Sequence, residues 1–339
     1  MNIEKILKDF CGTDGVSGDE KGIAEKACKT LEKYCRDVRY YKGNVIAEFG
    51  SEKEKEKATN ILIDAHMDQV GLQVTAITEK GFIKADGVGG IDSRLLPAQR
   101  VIVHGKKDIK GVVSTLPPHL ISGDKKVASV NQTVIDTGYS YEELKKIVSL
   151  GDFISYDMPF RKLKGEYVAS PALDDRCGMA AIVYALDLLK KEKLDTKITV
   201  MFSRQEELGE IGAATGCFEI NPDIALEVDV SFAVTNDDNP LECGKFEEGA
   251  MIGYSPSLSR EISDKLKETA EKKNIPYQIE VMTGMTSTNA DRFSICRGGV
   301  KACTVSIPLR YMHTPSEVIS IKDVEYTGRL LAEFVKGVK

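Results

Sequence analysis

Two of the four histidines follow short apolar runs, and the imidazole ring of histidine binds divalent metal ions in proteins. His66 follows the short apolar run 61–63 and precedes Asp68 by two positions. Side chains two apart in an extended segment point to the same side, so Asp68 could orient a metal-bound imidazole. His313 follows the apolar run 304–307. For each histidine, the alternative interpretation is a buried ring that is satisfied by its neighbours.

Acidic residues follow or interrupt three other apolar segments. Asp174 and Asp175 open an apolar helix, where one carboxylate would suffice to cap the N-terminus. Glu206 and Glu207 come after an apolar strand, a poor place for two like charges unless something binds them. Asp229 lies in a Val-rich strand, although aspartate is disfavoured in strand interiors. Helix capping and a solvated acidic loop are the structural alternatives.

Five of these residues form a candidate metal set, each at or just after a predicted strand end: His66, Asp174, Glu207, Asp229 and His313. In an open α/β sheet, sites form at the carboxyl ends of the strands. Imidazoles and carboxylates suit Zn2+, Co2+ or Mn2+ without a thiolate. Five ligands exceed the three that one catalytic zinc takes, and suit two metals about 3.5–4 Å apart with a shared carboxylate. Adjacent glutamates diverge, so one could reach a metal and the other a bound water.

The elements that must position these residues change character along the chain. A short amphipathic helix, a hairpin within 38–49 and a buried strand at 61–63 come first. Short β-type runs separated by turns fill about 71–163, with one helical stretch at 141–150. From about residue 168, strands alternate with helices, which predicts a sheet covered by helices on both faces.

The predicted fold class is therefore α/β, with a mixed sheet that is covered by helices on both faces and interrupted by a smaller β-rich inserted domain. We expect the first part of the catalytic domain at 1–70 and the insertion at 71–163. The second part of the catalytic domain is expected at 164–339. The candidate metal set then belongs to the larger domain, outside the insertion.

Composition excludes several classes of protein. Of the 339 residues, 42% are hydrophobic and 29% are charged, with a formal net charge of −6. This acidic balance argues against nucleic acid and anionic membrane surfaces as partners. No apolar run reaches the roughly 18 residues of a membrane span, and the charged N-terminal segment does not predict a signal peptide. Eight scattered cysteines without a C-x-x-C pattern predict reduced thiols in a cytoplasmic protein.

Several short stretches resemble one family of peptidases. They occur in order across nearly the whole chain, at 65–68 (AHMD), 91–97 (IDSRLLP), 99–101 (QRV), 172–176 (ALDDR), 205–207 (QEE), 228–230 (VDV) and 307–313 (IPLRYMH). In these stretches the sequence is similar to the tetrahedral aminopeptidases, co-catalytic two-metal peptidases that include glutamyl and deblocking aminopeptidases. The resemblance implies a metal-dependent aminopeptidase that acts on peptides with a free N-terminus.

The resemblance also implies roles for single residues. The implied ligands are His66, Asp174 and Asp229 for one metal and Asp174, Glu207 and His313 for the other, with Asp174 shared. Glu206 would be the general base, and Asp68 would orient His66. The peptide bond between Asp174 and Asp175 would be cis.

The same resemblance implies an assembly. The inserted segment would be a dimerisation domain, and dimers would form a hollow tetrahedral dodecamer. Gln69, Ser93 and Ala98 depart from the residues usual in the family, although none of them is an implied ligand. The loop at 243–249 also departs, which leaves substrate specificity open. His104 lies in the insertion and is expected to be structural or exposed, as is His119 in the same segment.

Three alternative functions stay open from the sequence. A deacylase or a carboxypeptidase could use the same metal centre. An endoglucanase-type glycosidase would need two carboxylates about 5–9 Å apart, which leaves both histidines without a role, and the absence of Trp also counts against it. A non-enzymatic shell is disfavoured, because all the implied ligands and the base are present.

Overall fold

The computed structural model describes residues 1–52, 58–114, 129–236, 239 and 242–338. Within these ranges the helices are α1 (Ile3–Cys11), α2 (Lys21–Leu31), α3 (Tyr141–Ile147), α4 (Leu173–Leu189), α5 (Ile211–Ile220), α6 (Arg260–Lys273), α7 (Asn289–Ser294) and α8 (Ile321–Gly337). The strands are β1 (Arg36–Tyr41), β2 (Asn44–Gly50), β3 (Asn60–His66), β4 (Gly71–Ile77), β5 (Phe82–Val88), β6 (Arg100–His104), β7 (Asp108–Val113), β8 (Ile135–Asp136), β9 (Phe153–Tyr156), β10 (Arg161–Lys162), β11 (Tyr167–Ser170), β12 (Lys197–Ser203), β13 (Ile224–Phe232), β14 (Ala250–Tyr254), β15 (Tyr277–Val281), β16 (Lys301–Arg310) and β17 (Glu317–Ser320).

The larger sheet has eleven strands within the described residues. Its order is β1-β2-β12-β3-β13-β16-β17-β11-β10, with β14 pairing with β16 and β15 with β14. The centre is parallel, because β12, β3, β13 and β16 run in the same direction. The flanking pairs β2–β12 and β16–β17 are antiparallel, so the sheet is mixed. Every residue of β3 is buried, which is typical of a parallel strand that is covered on both faces.

Helices cover both faces of this sheet. Alternate side chains of β3 enter two different apolar cores, because side chains along a strand point to opposite sides. Ile61 and Ile63 pack in the core that contains α1, α2, α4, α6 and α8, whereas Leu62 packs in the core that contains α5 and α7. The fold class predicted from the sequence is therefore confirmed. In the described part of the chain, none of the helices has both the length and the apolar character needed to cross a bilayer.

A closed barrel forms the second unit of the fold, with strand order β4-β5-β8-β7-β6-β9 in the described residues. Buried and exposed residues alternate along β7, because one side of the strand lines the barrel interior. The barrel has its own apolar core, to which Leu72, Val103 and Ile154 contribute, and α3 adds Leu144. The β-rich insertion expected from the sequence is thus present. Its limits at 71–163 and its role in dimerisation stay predictions.

Some elements differ from the sequence prediction. The sequence does not predict β14 or β17, which are five and four residues long. Strand β14 pairs with β15 and β16, and β17 pairs with β11 and β16. The strand expected at 112–115 is β7, which begins at Asp108, because the turn after His104 needs only three residues. Thr115 lies outside the described residues. Helix α2 ends at Leu31, earlier than the expected end near residue 35, because the chain turns there to enter β1 at Arg36.

Candidate metal centre

The candidate ligands come from the ends of parallel strands and from the start of one helix. His66 is the last residue of β3, Glu207 follows β12, and His313 follows β16. Asp229 lies near the carboxyl end of β13. Because these four strands are parallel, their carboxyl ends meet at one edge of the sheet. Asp174 reaches the same edge from the first turn of α4, where its own backbone is not helical.

Asp174 lies between the two histidines. Its Oδ1 is 2.9 Å from Nε2 of His66, and its Oδ2 is 3.3 Å from Nε2 of His313. Oε1 of Glu207 is also 3.3 Å from Nε2 of His313, and Oδ1 of Asp229 is 4.0 Å from Nε2 of His66. The two oxygens of one buried carboxylate therefore face different imidazoles, which is the arrangement that a bridging ligand needs.

Two groups of three side chains have their ligand atoms within 4.8 Å of one another, namely His66, Asp174 and Asp229, and Asp174, Glu207 and His313. Glu206 lies beside them, in a further group with His66 and Glu207. The first two groups are those that the family resemblance implies, although their role as metal ligands stays a prediction. The peptide bond between Asp174 and Asp175 is cis, as the resemblance also implies.

Asp68 holds the turn that carries two of the acidic residues. Its Oδ1 accepts the backbone N–H of Glu206 at 3.0 Å, and its Oδ2 accepts that of Glu207 at 3.2 Å. Nδ1 of His66 lies 3.2 Å from the backbone oxygen of Asp68 and 3.4 Å from its Oδ1. Asp68 thus contacts the imidazole and also positions both glutamates, whereas the sequence indicated only the contact with the imidazole.

Glu317 is a buried carboxylate that the sequence analysis missed. Its Oε2 accepts the backbone N–H of Asp174 at 3.1 Å, and its Oε1 accepts that of His313 at 2.9 Å. One side chain therefore fixes the backbone at two candidate ligands that are far apart in the chain. The sequence signal is weak, because Glu317 opens β17, a short strand that the sequence does not predict.

Two further carboxylates are buried on the same face of β3 and β13, each two residues before a candidate ligand. Asp64 accepts hydrogen bonds from Oγ of Ser203 at 3.0 Å and Nδ2 of Asn289 at 2.8 Å. Glu227 accepts the backbone N–H of Asn289 at 2.8 Å. Burial raises the pKa of Asp64 to about 7 and also raises the pKa of Glu227. Asp64 and Glu227 are therefore two further carboxyl groups next to the candidate ligands.

Burial and the repulsion between neighbouring carboxylates shift the pKa values of the residues in the cluster. Burial raises the pKa of Glu206 to about 9 and that of Asp229 to about 7, and a positive His66 offsets this only in part. For Asp174, burial alone would raise the pKa, but hydrogen bonds with His313 and His66 hold it well below its usual range. Without cations, the cluster therefore retains protons, because so many carboxylates cannot all be ionised together.

A cavity of about 1210 Å³ opens over the cluster. Its lining includes all five candidate ligands, much of β15 and the segment 282–288. No lysine or arginine of the described chain lines it, whereas four carboxylates outside the candidate ligand set do, namely Glu206, Glu210, Glu242 and Glu280. A concave site next to groups with shifted pKa values is where a substrate is expected to bind.

The other two histidines do not join this cluster. His104 lies in the barrel, where its Nδ1 is 3.0 Å from Oδ1 of Asp108 and its Nε2 is 2.9 Å from Oγ of Ser155. These contacts are those of a structural residue, as the sequence analysis expects. His119 lies outside the described residues.

Comparison with known sequences places the chain among peptidases. The sequence profile of the M42 glutamyl aminopeptidase family matches residues 43–330. A protein of Acetivibrio thermocellus is 35% identical over 335 residues, which cover 97% of each chain. The lysyl aminopeptidase of Pyrococcus furiosus is 31% identical over 346 residues, which cover 99% of this chain and 97% of that protein.

Solved structures agree with this placement. Aminopeptidase APDkam598 of the archaeon Desulfurococcus kamchatkensis has a TM-score of 0.93 and 30% identity, and the match covers 99% of this chain and 95% of that chain. The TET1 peptidase of Pyrococcus horikoshii, which can assemble into a tetrahedron or a large octahedral shell, has a TM-score of 0.87 and 33% identity. That match covers 98% of this chain and 99% of the TET1 chain. This chain therefore belongs to the M42 glutamyl aminopeptidase family and is a peptidase.

Proposed function

We propose that the protein is an aminopeptidase that uses two divalent metal ions to hydrolyse the first peptide bond of peptides with a free N-terminus. Family membership supports the peptidase activity. The position of Asp174 carries the two-metal part of the proposal, because its two oxygens lie 2.9 Å from His66 and 3.3 Å from His313. A single carboxylate between two imidazoles is suited to link two metal ions.

The donor set fits two such ions. The proposed ligands are His66, Asp174 and Asp229 for one ion and Asp174, Glu207 and His313 for the other. Imidazole nitrogen and carboxylate oxygen suit Zn2+, Co2+ or Mn2+. With Glu206, four carboxylates face only two imidazoles, and no lysine or arginine of the described cavity lining supplies positive charge. Buried carboxylates at this density need cations or protons.

Glu206 is proposed as the general base. When bound, two metal ions would acidify a water molecule and polarise the scissile carbonyl. Glu206 lies outside the two groups that share Asp174, so its carboxylate can accept a proton from that water and pass it to the leaving amine. Asp68 would keep Glu206 in place through the backbone hydrogen bond.

The alternative functions are disfavoured by particular observations. Family membership favours an aminopeptidase over a deacylase or a carboxypeptidase. An endoglucanase-type reaction needs only a pair of carboxylates, and it leaves the contacts of Asp174 with two histidines unexplained. The names of the relatives do not settle the preferred N-terminal residue, because the family is called glutamyl and the Pyrococcus furiosus protein lysyl.

Aminoacyl chromogenic substrates, with and without an N-acetyl block, test this function. We expect turnover of the free-amine substrates only, loss of turnover in excess chelator, and recovery with Zn2+, Co2+ or Mn2+. Metal analysis should find two ions per subunit. Equal cleavage of blocked substrates would contradict an aminopeptidase, and unchanged turnover in excess chelator would contradict the metal requirement.

We also propose that the protein is a homo-oligomer. The segment 71–163 would serve as the dimerisation domain, and dimers would assemble into a tetrahedral dodecamer. The support is the similarity to the TET1 peptidase of Pyrococcus horikoshii along almost the full length of both chains. Sedimentation of the native protein measures its mass, and a monomer of 37.2 kDa would contradict the proposal.

A further inference from the structure

Glu280 is an acidic residue of the cavity wall that the proposed mechanism does not use. It lies on β15 and is partly buried. Its carboxylate accepts hydrogen bonds from Oγ of Ser306 at 2.8 Å and from Oγ of Ser231. Burial raises the pKa of Glu280, and the two hydroxyl donors offset this in part. Two neutral hydroxyl groups stabilise a carboxylate less than a cation does, so the negative charge of Glu280 is compensated only in part.

The two serines place the Glu280 carboxylate close to the candidate metal centre. Ser231 is two residues beyond Asp229 on β13, so the two side chains share a face. Ser306 is paired with Asp229 in the register of β13 and β16. Two residues along a strand span roughly 7 Å. Glu280 is therefore not part of the metal cluster. It lies within reach of the side chain of a substrate's N-terminal residue when the carbonyl group of that residue is at the cluster.

Other carboxylates along the cavity have compensation that Glu280 lacks. The candidate ligands would be matched by metal ions, and Glu210 pairs with Nε of Arg292 at 2.8 Å. Glu242 is exposed to water and accepts a hydrogen bond from Nδ2 of Asn239 at 2.8 Å. Among the residues that the structure describes, no lysine, arginine or histidine forms an ion pair with Glu280. A cationic group of the substrate would supply the missing partner.

We infer that Glu280 is a specificity-determining residue that binds the positively charged side chain of an N-terminal Lys or Arg. This inference rests on the proposed aminopeptidase function. The α-amine of a substrate is held near its own carbonyl and hence near the metals, whereas lysine carries its charge on a flexible four-carbon stem that can span the distance to Glu280. An N-terminal Glu or Asp would place a like charge beside Glu280, which is unfavourable in a partly buried site. The protein should therefore prefer basic residues, in contrast to the glutamyl name of its family.

The metal-loaded wild-type protein tests the preference directly. Its kcat/KM is measured on Lys, Arg, Leu and Glu p-nitroanilides under identical conditions. We expect the values for Lys and Arg to exceed that for Glu by at least ~30-fold, the lower end of the range for pairing or opposing a buried charge. Turnover without a basic preference would overturn this inference and leave the proposed function standing. No turnover of any aminoacyl substrate would contradict both.

Two variants of the same residue assign the preference to Glu280. Glu280→Gln keeps the size of the side chain but removes its charge, so the ratio of kcat/KM for Lys to that for Leu should fall by at least ~10-fold, mainly through KM. Glu280→Asp keeps the charge and should retain part of the preference. An unchanged ratio in Glu280→Gln would overturn the inference.

Glu242→Gln is the matched control, because it removes an exposed charge from the same cavity. We expect its Lys-to-Leu ratio to stay within about twofold of wild type, since exposed charges are screened by solvent. A loss as large as that in Glu280→Gln would assign the preference to the overall acidity of the cavity and would overturn the role of Glu280. Metal content and circular dichroism of each variant show whether the site and the fold are intact.

Discussion

At the scale of single residues, carboxylates that accept backbone N–H groups shape the candidate site. Asp68 binds the N–H groups of Glu206 and Glu207, and Glu317 binds those of Asp174 and His313. Each of these hydrogen bonds satisfies a backbone N–H group and fixes the residue that carries it, so the contacts hold the cluster in place despite the repulsion within it. The metal-binding residue types and the contact of Asp68 with His66 could be predicted from the sequence, but the backbone contacts of Asp68 with the two glutamates and the role of Glu317 could not.

The role of Glu206 is tested by Glu206→Gln. We expect kcat to fall by roughly 10²–10⁴-fold, because a general base of this kind contributes that much to the rate. Metal content should be unchanged, because Glu206 lies outside the two groups that share Asp174. The measurements are kcat on an aminoacyl substrate and metal ions per subunit.

The control for this change is Glu261→Gln, which alters an acid on α6 that pairs with Lys265 at the surface. It should keep both kcat and metal content. Wild-type turnover by Glu206→Gln would mean that another group takes the proton.

At the scale of elements, α4 links the core to the site. Nearly all of its residues are buried, and its first turn carries Asp174. Helix α8 packs against it at Gly328, where an added Cβ would lie 2.7 Å from the carbonyl oxygen of Ala181 and 2.8 Å from Cδ1 of Tyr184. The absence of a side chain at Gly328 therefore allows the two helices to approach closely.

Gly328→Ala tests this contact. We expect the free energy of unfolding to fall by about 1–3 kcal/mol, the usual cost of overpacking a core. This loss should outweigh the gain of up to about 1 kcal/mol that alanine brings to a helix. The midpoint of urea unfolding measures the difference.

Gly337→Ala, in the same helix, is the matched control, because nothing lies within 4 Å of the added Cβ. It should leave the midpoint unchanged or slightly higher. If both variants have the same midpoint, α4 and α8 do not approach as closely at Gly328 as the structure shows.

At the scale of the whole molecule, the fold gathers acidic groups from many segments into one place. The net charge of −6 is modest for 339 residues, but buried carboxylates from β3, β13 and α4 converge at one edge of the sheet. Burying these carboxylates is unfavourable in free energy. The rest of the fold offsets this, chiefly through the two apolar cores on either side of the sheet. Stability and metal content should therefore be coupled.

The metal-free protein should lose stability as the pH rises from about 5.5 to about 8.5. The pKa is raised to about 7 for Asp64 and Asp229, to about 9 for Glu206 and to about 11 for His313. Burial is the cause for the three acids, whereas for His313 the bonds to carboxylates outweigh the opposing effect of burial. The folded state then binds more protons than the unfolded state, so stability is greatest at low pH and is lost as these groups ionise.

Urea unfolding in excess chelator at these two pH values measures the effect. Added Zn2+ should restore stability at the higher pH, because metal ions bind the ionised groups of the folded state. The lowered pKa of Asp174 acts only at more acidic pH and does not change this sign. A metal-free protein that becomes more stable between the two pH values would contradict the prediction.

The α/β class, the β-rich insertion and the residue types of the candidate site could be predicted from the sequence. These are local properties, because hydrophobic period, strand length and the residue after a strand can be read from neighbouring positions. Since parallel strands end at one edge of a sheet, residues such as His66 and Asp229 could be expected together before any coordinates were known.

The contacts between side chains of distant segments could not be predicted in this way. The two bonds of Glu317, the placement of Glu280 beside Ser231 and Ser306, and the close approach of α8 at Gly328 each join segments far apart in the chain. Such contacts depend on the register and packing of whole elements, which a local pattern does not specify. The sequence therefore predicts what kind of chemistry the protein carries, and the packing of its elements decides which groups hold that chemistry in place.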